Sequence, residues 1–252
     1  LPFMIGAVLL LCGLEALSPL PRWANVLWAA LLIGFGVGQQ FQAQNFFRRE
    51  WIVQKDIYWQ LAWRIPELAP GTTIFSNEFP LYYNASDFTQ SAMFDWTWQP
   101  RPSPQQMDYA LYYPHEQLSF GRLPEMIPNQ DFRIDHLGAV FTGNTSQSVA
   151  VQLYRYEDLT MGCLHVMSPE IDRHNPLYAI GDRKAIPLSN PELILAASPA
   201  QTRQLIPEIF GAEPPPGKCY YFQKADLAYQ QRYWKRVIAY FQQAKAAGVD
   251  HW

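Results

Sequence analysis

Residues 23–38 read WANVLWAALLIGFGVG, and no charged residue occurs anywhere from 23 to 47. A helix of about 18 residues spans roughly 27 Å, close to the hydrocarbon thickness of a bilayer. The run reaches that length if Gln39 and Gln40 are accepted and it continues to Phe41. Toward the N-terminus, residues 2–14 (PFMIGAVLLLCGL) form a second apolar run, closed by Glu15. Between the two lies Ser18-Pro19-Leu20-Pro21-Arg22. Its prolines cannot continue a helix and suit a short turn between antiparallel spans. Trp23 at one end, with Phe46, Phe47 and Trp51 beyond the other, matches the aromatic enrichment at membrane interfaces. Residues 1–47 are therefore expected to form a membrane α-helical hairpin. A hairpin buried in a soluble protein would need cover on all sides, and a cleavable signal peptide would need a basic start. Both fit less well.

Charge divides the chain at the same place. Its 252 residues include 19 basic and 22 acidic ones, a net charge of -3. That balance gives no basic excess for nucleic acid, which is not expected as a partner. Only Glu15 and Arg22 are charged within 1–47, so nearly all the charge lies beyond. The remainder is rich in aromatic residues as well as proline, with ample material for a core. The apolar run begins at once at Leu1, and Trp252 follows a helical pattern without a tail, so the chain is expected to be a fragment of a longer protein.

Residues 48–167 are expected to be a small mixed α/β domain. Apolar residues at 52, 53, 57, 58, 61 and 62 predict an amphipathic helix over 50–63, ended by Pro66, Pro70 and Gly71. Residues 72–76 (TTIFS) and 108–113 (DYALYY) read as strands, and 86–98 as a helix capped by Ser86. Further β-like segments lie at 132–142, 148–156 and 163–167, with turns at Gly143-Asn144 and Gly162. Residues 168–217 hold many prolines and few periodic runs, and predict an irregular connection with one short helix near 199–205. Residues 218–252 predict a helical hairpin turning near Arg232. Tyr221, Ala225, Trp234, Phe241 and Ala244 supply its packing face, and the spacing resembles a tetratricopeptide helix pair, with Ala225, Trp234, Phe241 and Ala244 at its small and aromatic positions. Val237 and Ala228 depart from that motif. A single pair cannot bury its face alone, so further repeats are expected to follow.

Chemistry is sparse. There is no Gly-rich phosphate loop, nucleophile elbow, His-x-x-His or Cys-x-x-Cys pair. His115, His136, His165, His174 and His251 lack metal-ligand spacing and read as surface or hydrogen-bonded residues. No metal or cofactor is expected. Glu157-Asp158 and Asp131 with Asp135 read as solvated carboxylates. Tyr82, Tyr83 and the aromatics of 94–98 offer a sugar-stacking surface, but core packing is the simpler reading. Cys163 and Cys219 either form a disulfide, where the domain lies in an oxidising compartment, or stay as two buried thiols. The residues alone leave both open. Asn84-Ala85-Ser86 and Asn144-Thr145-Ser146 match glycosylation sequons, which matter only in a glycosylating secretory pathway.

Four phrases together carry a resemblance: residues 59–72 (WQLAWRIPELAPGT), 143–147 (GNTSQ), 163–169 (CLHVMSP) and 219–228 (CYYFQKADLA). They resemble the C-terminal region of uncharacterised bacterial multi-pass membrane proteins, similar to the lipid-phosphate-sugar-dependent glycosyltransferases of the GT-C type. The resemblance implies further transmembrane helices upstream as partners and a soluble domain on the extracytoplasmic side of a bacterial cytoplasmic membrane. Arg48, Arg49 and Lys55 against the single Arg22 argue weakly for the opposite side, but large domains translocate largely regardless of such counts. In that class the catalytic acid lies in an N-terminal loop with no counterpart in this sequence, so no catalytic residue is assigned. The expected role is a non-catalytic extracytoplasmic domain that binds the bilayer through its spans and other proteins through its helix repeats. The alternative is an accessory part of a membrane glycosyltransferase.

Overall fold

A computed structural model of the chain describes residues 8, 10–13, 19, 21–77, 79, 87–99, 105–115, 126–136, 138–155, 161–176, 178–196 and 210–249. The chain divides into two compact units, Leu1–Trp51 and Ile52–Trp252.

Helix α1 (Arg22–Arg64) is 43 residues long, which corrects the expectation of a span and a separate amphipathic helix. No proline or glycine occurs between Gly38 and Pro66, and the intervening Gln, Arg, Glu and Lys residues are good helix formers. The helix stops where Pro66 disfavours helical geometry at the residue before it. Within the first unit its large apolar side chains are exposed, among them Trp23, Leu31, Phe35 and Phe41. It is the one helix among the described residues long and apolar enough to cross a membrane. Of the other expected span, Val8 and residues 10–13 are helical and exposed, and the rest lies outside the described residues. From Ile52 onward α1 belongs to the second unit, where Ile57, Tyr58 and Leu61 are fully buried.

The second unit is a mixed α/β domain. Strand β1 (Glu67–Leu68) precedes β2 (Thr73–Phe75), which is joined through α2 (Asp87–Trp98) to β3 (Ala110–Tyr112). Strands β2 and β3 pair in parallel, and β6 (Ser148–Arg155) pairs in parallel on the other side of β2. Antiparallel β7 (Met161–Met167) completes a four-stranded sheet of order β3-β2-β6-β7. The strands of β2 and β3 are only three residues long and buried throughout, as befits strands covered on both faces.

The alternation of side chains builds a separate core on each face. Ile74, Leu111, Val149, Val151, Leu153, Leu164 and Val166 pack with Ile57, Tyr58 and Leu61 of α1 and Phe94 and Trp98 of α2. Trp98 Nε1 donates to the Ile65 carbonyl at 3.0 Å. On the opposite face, Phe75, Ala110, Tyr112, Ala150 and Met167 pack with Phe132, Phe141, Tyr178, Ala185, Ile186 and Leu188.

That second core overturns the reading of 168–217 as a surface connection. The stretch contains α3 (Pro169–Asp172), α4 (Ile180–Ala185), two 3-10 turns and β8 (Ile194–Leu195), which pairs with β1. The prolines misled because they start structure here: Pro169, Pro187 and Pro191 stand in the first turn of short helices, where a missing N–H costs nothing. The helix expected near 199–205 lies outside the described residues, as does Ser86.

Residues 132–142 are not one strand. They contribute to a hairpin of β4 (Asp131–His136) and β5 (Ala139–Asn144), with Gly138 at φ +89° between them. The turn expected at Gly143-Asn144 falls just beyond, at residues 145–146, and Gly143 and Asn144 are the last two residues of β5. A Cβ at Gly143 would sit 2.5 Å from the Phe141 ring and 2.9 Å from that of Phe132. Gly162, expected in a turn, lies within β7. At the C-terminus, α5 (Lys218–Gln230) and α6 (Trp234–Ala246) form the helix pair, with Arg232 at φ +59° in the joint.

Candidate functional site

Strand β7 is an edge of the sheet, and an edge presents backbone groups that must find partners. Two glutamines fill that role. Gln60 Nε2 donates to the Gly162 carbonyl at 3.3 Å, and Leu164 N–H donates to Gln60 Oε1 at 2.6 Å. Gln223 Nε2 donates to the Leu164 carbonyl at 2.6 Å and to Gln60 Oε1 at 3.3 Å. Both side chains are fully buried. One amide comes from α1 and the other from α5, and together they stand in for a missing strand.

Beside this cap Cys163 is bonded to Cys219, across 56 residues of sequence and with the two Cα atoms 5.0 Å apart. A third tie lies one turn on. Arg64 Nε meets Asp226 Oδ2 at 2.6 Å, with the Arg64 side chain 3% exposed. Trp63 Nε1 donates to Glu213 Oε1 at 2.9 Å, and its ring meets Tyr220 edge-on at 5.1 Å. Gln230 Nε2 donates to the Pro191 carbonyl. Helix α5 is thus fixed covalently and by polar contacts to β7 and the end of α1.

The five residues expected to form a repeat-packing face separate into two groups. Tyr221 and Ala225 are half-buried on α5, and Ala244 of α6 is fully buried. Trp234 and Phe241 instead lie about half exposed. Ala244 thus sits where the helix pair closes, while Trp234 and Phe241 face outward.

A second polar group centres on Asp172, which is 4% exposed. Its Oδ1 accepts from Tyr178 OH at 2.7 Å and lies 3.0 Å from His165 Nε2, and its Oδ2 accepts from Ser168 N–H at 2.7 Å. Burial alone would push this carboxyl up, but the hydrogen bonds from Ser168, Tyr178 and His165 outweigh it and hold the carboxyl below its ordinary value. An ionised carboxylate only accepts, so the facing His165 nitrogen carries a hydrogen, and in a neutral ring Nδ1 is then the acceptor. Gln152 stands opposite His165 in the β6–β7 register. The Ser168 hydroxyl is engaged in capping α3.

Two further buried acids have structural surroundings. Asp95 is pushed up to about 7 by burial, although its Oδ1 accepts from Asp108 and Tyr109 N–H groups at 2.9 and 3.0 Å. It tethers the start of β3 to α2. Asp182, raised by burial, accepts from Asn77 Nδ2 at 2.7 Å.

Among the remaining sequence candidates, His115 is exposed and uses its backbone N–H toward Asn77 Oδ1, while His174 is exposed. Asp135 pairs with Arg133 at 3.3 Å on the surface, and Asp131 accepts from Asn144. Phe94 and Trp98 are core residues and only Trp96 is exposed, which removes them as a stacking platform. Tyr82, Tyr83, Asn84, Glu157, Asp158 and His251 lie outside the described residues, as does the side chain of His136. Among the described residues no three His, Cys, Asp or Glu side chains are grouped to hold a metal. No protein-family model matches the chain, and no curated protein or solved structure is similar enough to it to show kinship.

Gln60 and Gln223 were invisible to sequence reasoning, since an amide that caps a strand edge has no motif. Asp172 was nearer to reach: Ser168-Pro169-Glu170 is a helix-start signal that would have placed it on α3.

Proposed function

We propose that this chain is a non-catalytic, extracytoplasmic domain of an integral membrane protein, anchored by the apolar part of α1. The Cys163–Cys219 bond carries the reading, because such bonds persist in oxidising compartments and are rare where thiols are kept reduced. The exposed apolar side chains of α1 from Trp23 onward support the anchor, since about 20 apolar residues suffice to cross a bilayer. The test is thiol labelling with a maleimide of high mass, on native membranes dissolved in denaturing detergent without reductant. Only Cys12 should react before reduction, and Cys163 and Cys219 should react after it. Two reactive thiols at 163 and 219 without reductant would overturn the assignment.

A second reading makes the domain an accessory part of a membrane glycosyltransferase that uses a lipid-linked sugar. One observation favours it. Three of the four phrases that resemble such proteins supply the β7 cap: Gln60 and Arg64, Cys163 and Leu164, and Cys219, Gln223 and Asp226. The coding sequence upstream of Leu1 tests this reading. Many further spans, with an acidic residue in the first extracytoplasmic loop whose loss abolishes sugar transfer, would support it; an initiation codon immediately before Leu1 would end it.

A further inference from the structure

The hairpin of α5 and α6 has a charge unlike the rest of its unit. Residues 218–252 contain six basic residues and two acidic ones, whereas residues 52–217 contain ten basic and eighteen acidic. Asp226, the one acid of the two helices, is taken up by Arg64. Among the described residues Arg232, Lys235, Arg236 and Lys245 make no ion pair, and Arg236 lies 5.0 Å over the Tyr233 ring.

Helix α6 also carries an apolar stripe. Trp234, Ile238 and Phe241 follow one another at i, i+4 and i+7, and they are 55%, 58% and 49% exposed. Tyr229 and Tyr233, each 51% exposed, extend it across the joint, and Tyr229 meets Trp234 edge-on at 5.3 Å. An apolar stripe flanked by Arg and Lys and ended by Trp and Tyr is the make-up of helices that lie in a bilayer interface.

We propose that this face of α6 lies on an anionic phospholipid surface, an inference that rests on the membrane reading above. Charge complementarity selects the occupant: a lipid surface offers negative headgroups and an apolar layer together. A second copy of the chain would bring the same stripe only together with its own basic residues. Among the described residues, its other exposed large apolar residues within 52–217, Ile52, Trp96, Ile127, Ile171, Ile180 and Leu195, lie on separate elements or loops.

The experiment uses the full chain with Cys12→Ser and Phe241→Cys, labelled with an environment-sensitive fluorophore. The labelled chain is reconstituted into vesicles of phosphatidylcholine, alone or mixed with phosphatidylglycerol, and the quencher is a doxyl-labelled lipid. Quenching should rise about fivefold with phosphatidylglycerol, and Lys235→Glu with Lys245→Glu, the basic residues beside and in line with the stripe, should cancel the rise. A label at Gln243→Cys, on the opposite side of the helix, should not respond. Low quenching at 241 in both vesicle types would overturn the proposal. So would a blue shift in detergent that grows with protein concentration, the mark of a second copy. Flotation separates the two readings. Chain that floats in both vesicle types without quenching at 241 sinks this proposal alone. Chain that floats only with phosphatidylglycerol, is stripped by alkaline carbonate and is quenched at 241 sinks the spanning helix instead.

Discussion

Helices α5 and α6 are each 13 residues long and adjoin across a short joint, yet they are held in different ways. Helix α5 is tied to the sheet edge by a disulfide and an amide hydrogen bond, and to the end of α1 by a second amide bond and an ion pair with buried Arg64. Helix α6 keeps Ala244 buried and turns Trp234, Ile238 and Phe241 outward. Similar apolar spacing therefore marks two different things: on α5 the buried partners are polar and specific, and on α6 the apolar residues are left over. Periodicity reports that a helix has a preferred side, but not whether the protein itself covers that side.

Substitutions should break this comparison on the α5 side and leave α6 almost untouched. The largest effect is expected from Cys163→Ser with Cys219→Ser. Opening a loop of this length should cost about 4 kcal/mol in the chain-entropy model, read as a lower midpoint in denaturant unfolding. Asp226→Ala should follow, at about 3 kcal/mol, because it leaves the Arg64 charge buried without its partner. The same measurement on Lys235→Ala of α6 should give a change within about 0.5 kcal/mol. Gln60→Leu should cost about 2 kcal/mol by leaving Gly162 and Leu164 backbone groups without partners. Amide exchange at Leu164 should then rise more than at Val151 in the sheet interior.

The smallest expected effect is a pH dependence at the other end of β7. The Asp172 carboxyl is held below its ordinary value in the folded chain. Its stabilisation is therefore present above the unfolded carboxylate pKa and is lost as pH falls through the folded one. Asp172→Asn should lower stability at neutral pH and flatten the acid limb of the profile. An unchanged acid limb in that variant would show that other carboxylates govern it. Asp95 acts in the opposite sense: its raised value costs stability as pH climbs from about 4 toward 7, so Asp95→Asn should remove that loss.

How much was legible beforehand follows from which forces leave a pattern. The apolar run from Trp23 and the helical spacing of α5 and α6 are local, and the sequence displays them directly. The mixed α/β order was legible from β-branched runs such as Thr72-Thr73-Ile74. The continuity of α1 was missed because a loss of hydrophobicity near Gln39 resembles a helix end, although only Pro66 supplies a stop. Residues 168–217 mislead for the converse reason: proline punctuation resembles loss of pattern, whereas Pro169, Pro187 and Pro191 stand in the first turns of short helices. Tyr178, Ile186 and Leu188 have no common period, and only the sheet face they cover gives them one. The β7 cap was out of reach altogether, being made by residues 60, 162, 164 and 223, which no local window contains.

The same separation sets an order of events during synthesis. Cys163 leaves the ribosome 56 residues before its partner, an interval of about 3–11 s at synthesis rates of about 5–20 residues per second. Through that interval the edge of β7 is only half capped: Gln60 is already made, but the Leu164 carbonyl lacks its partner, since Gln223 and Cys219 have yet to arrive. A nascent sheet in this state is a template for pairing with a neighbouring chain. Helix α5 thus acts as a closing latch, emerging after the sheet whose edge it makes safe from aggregation.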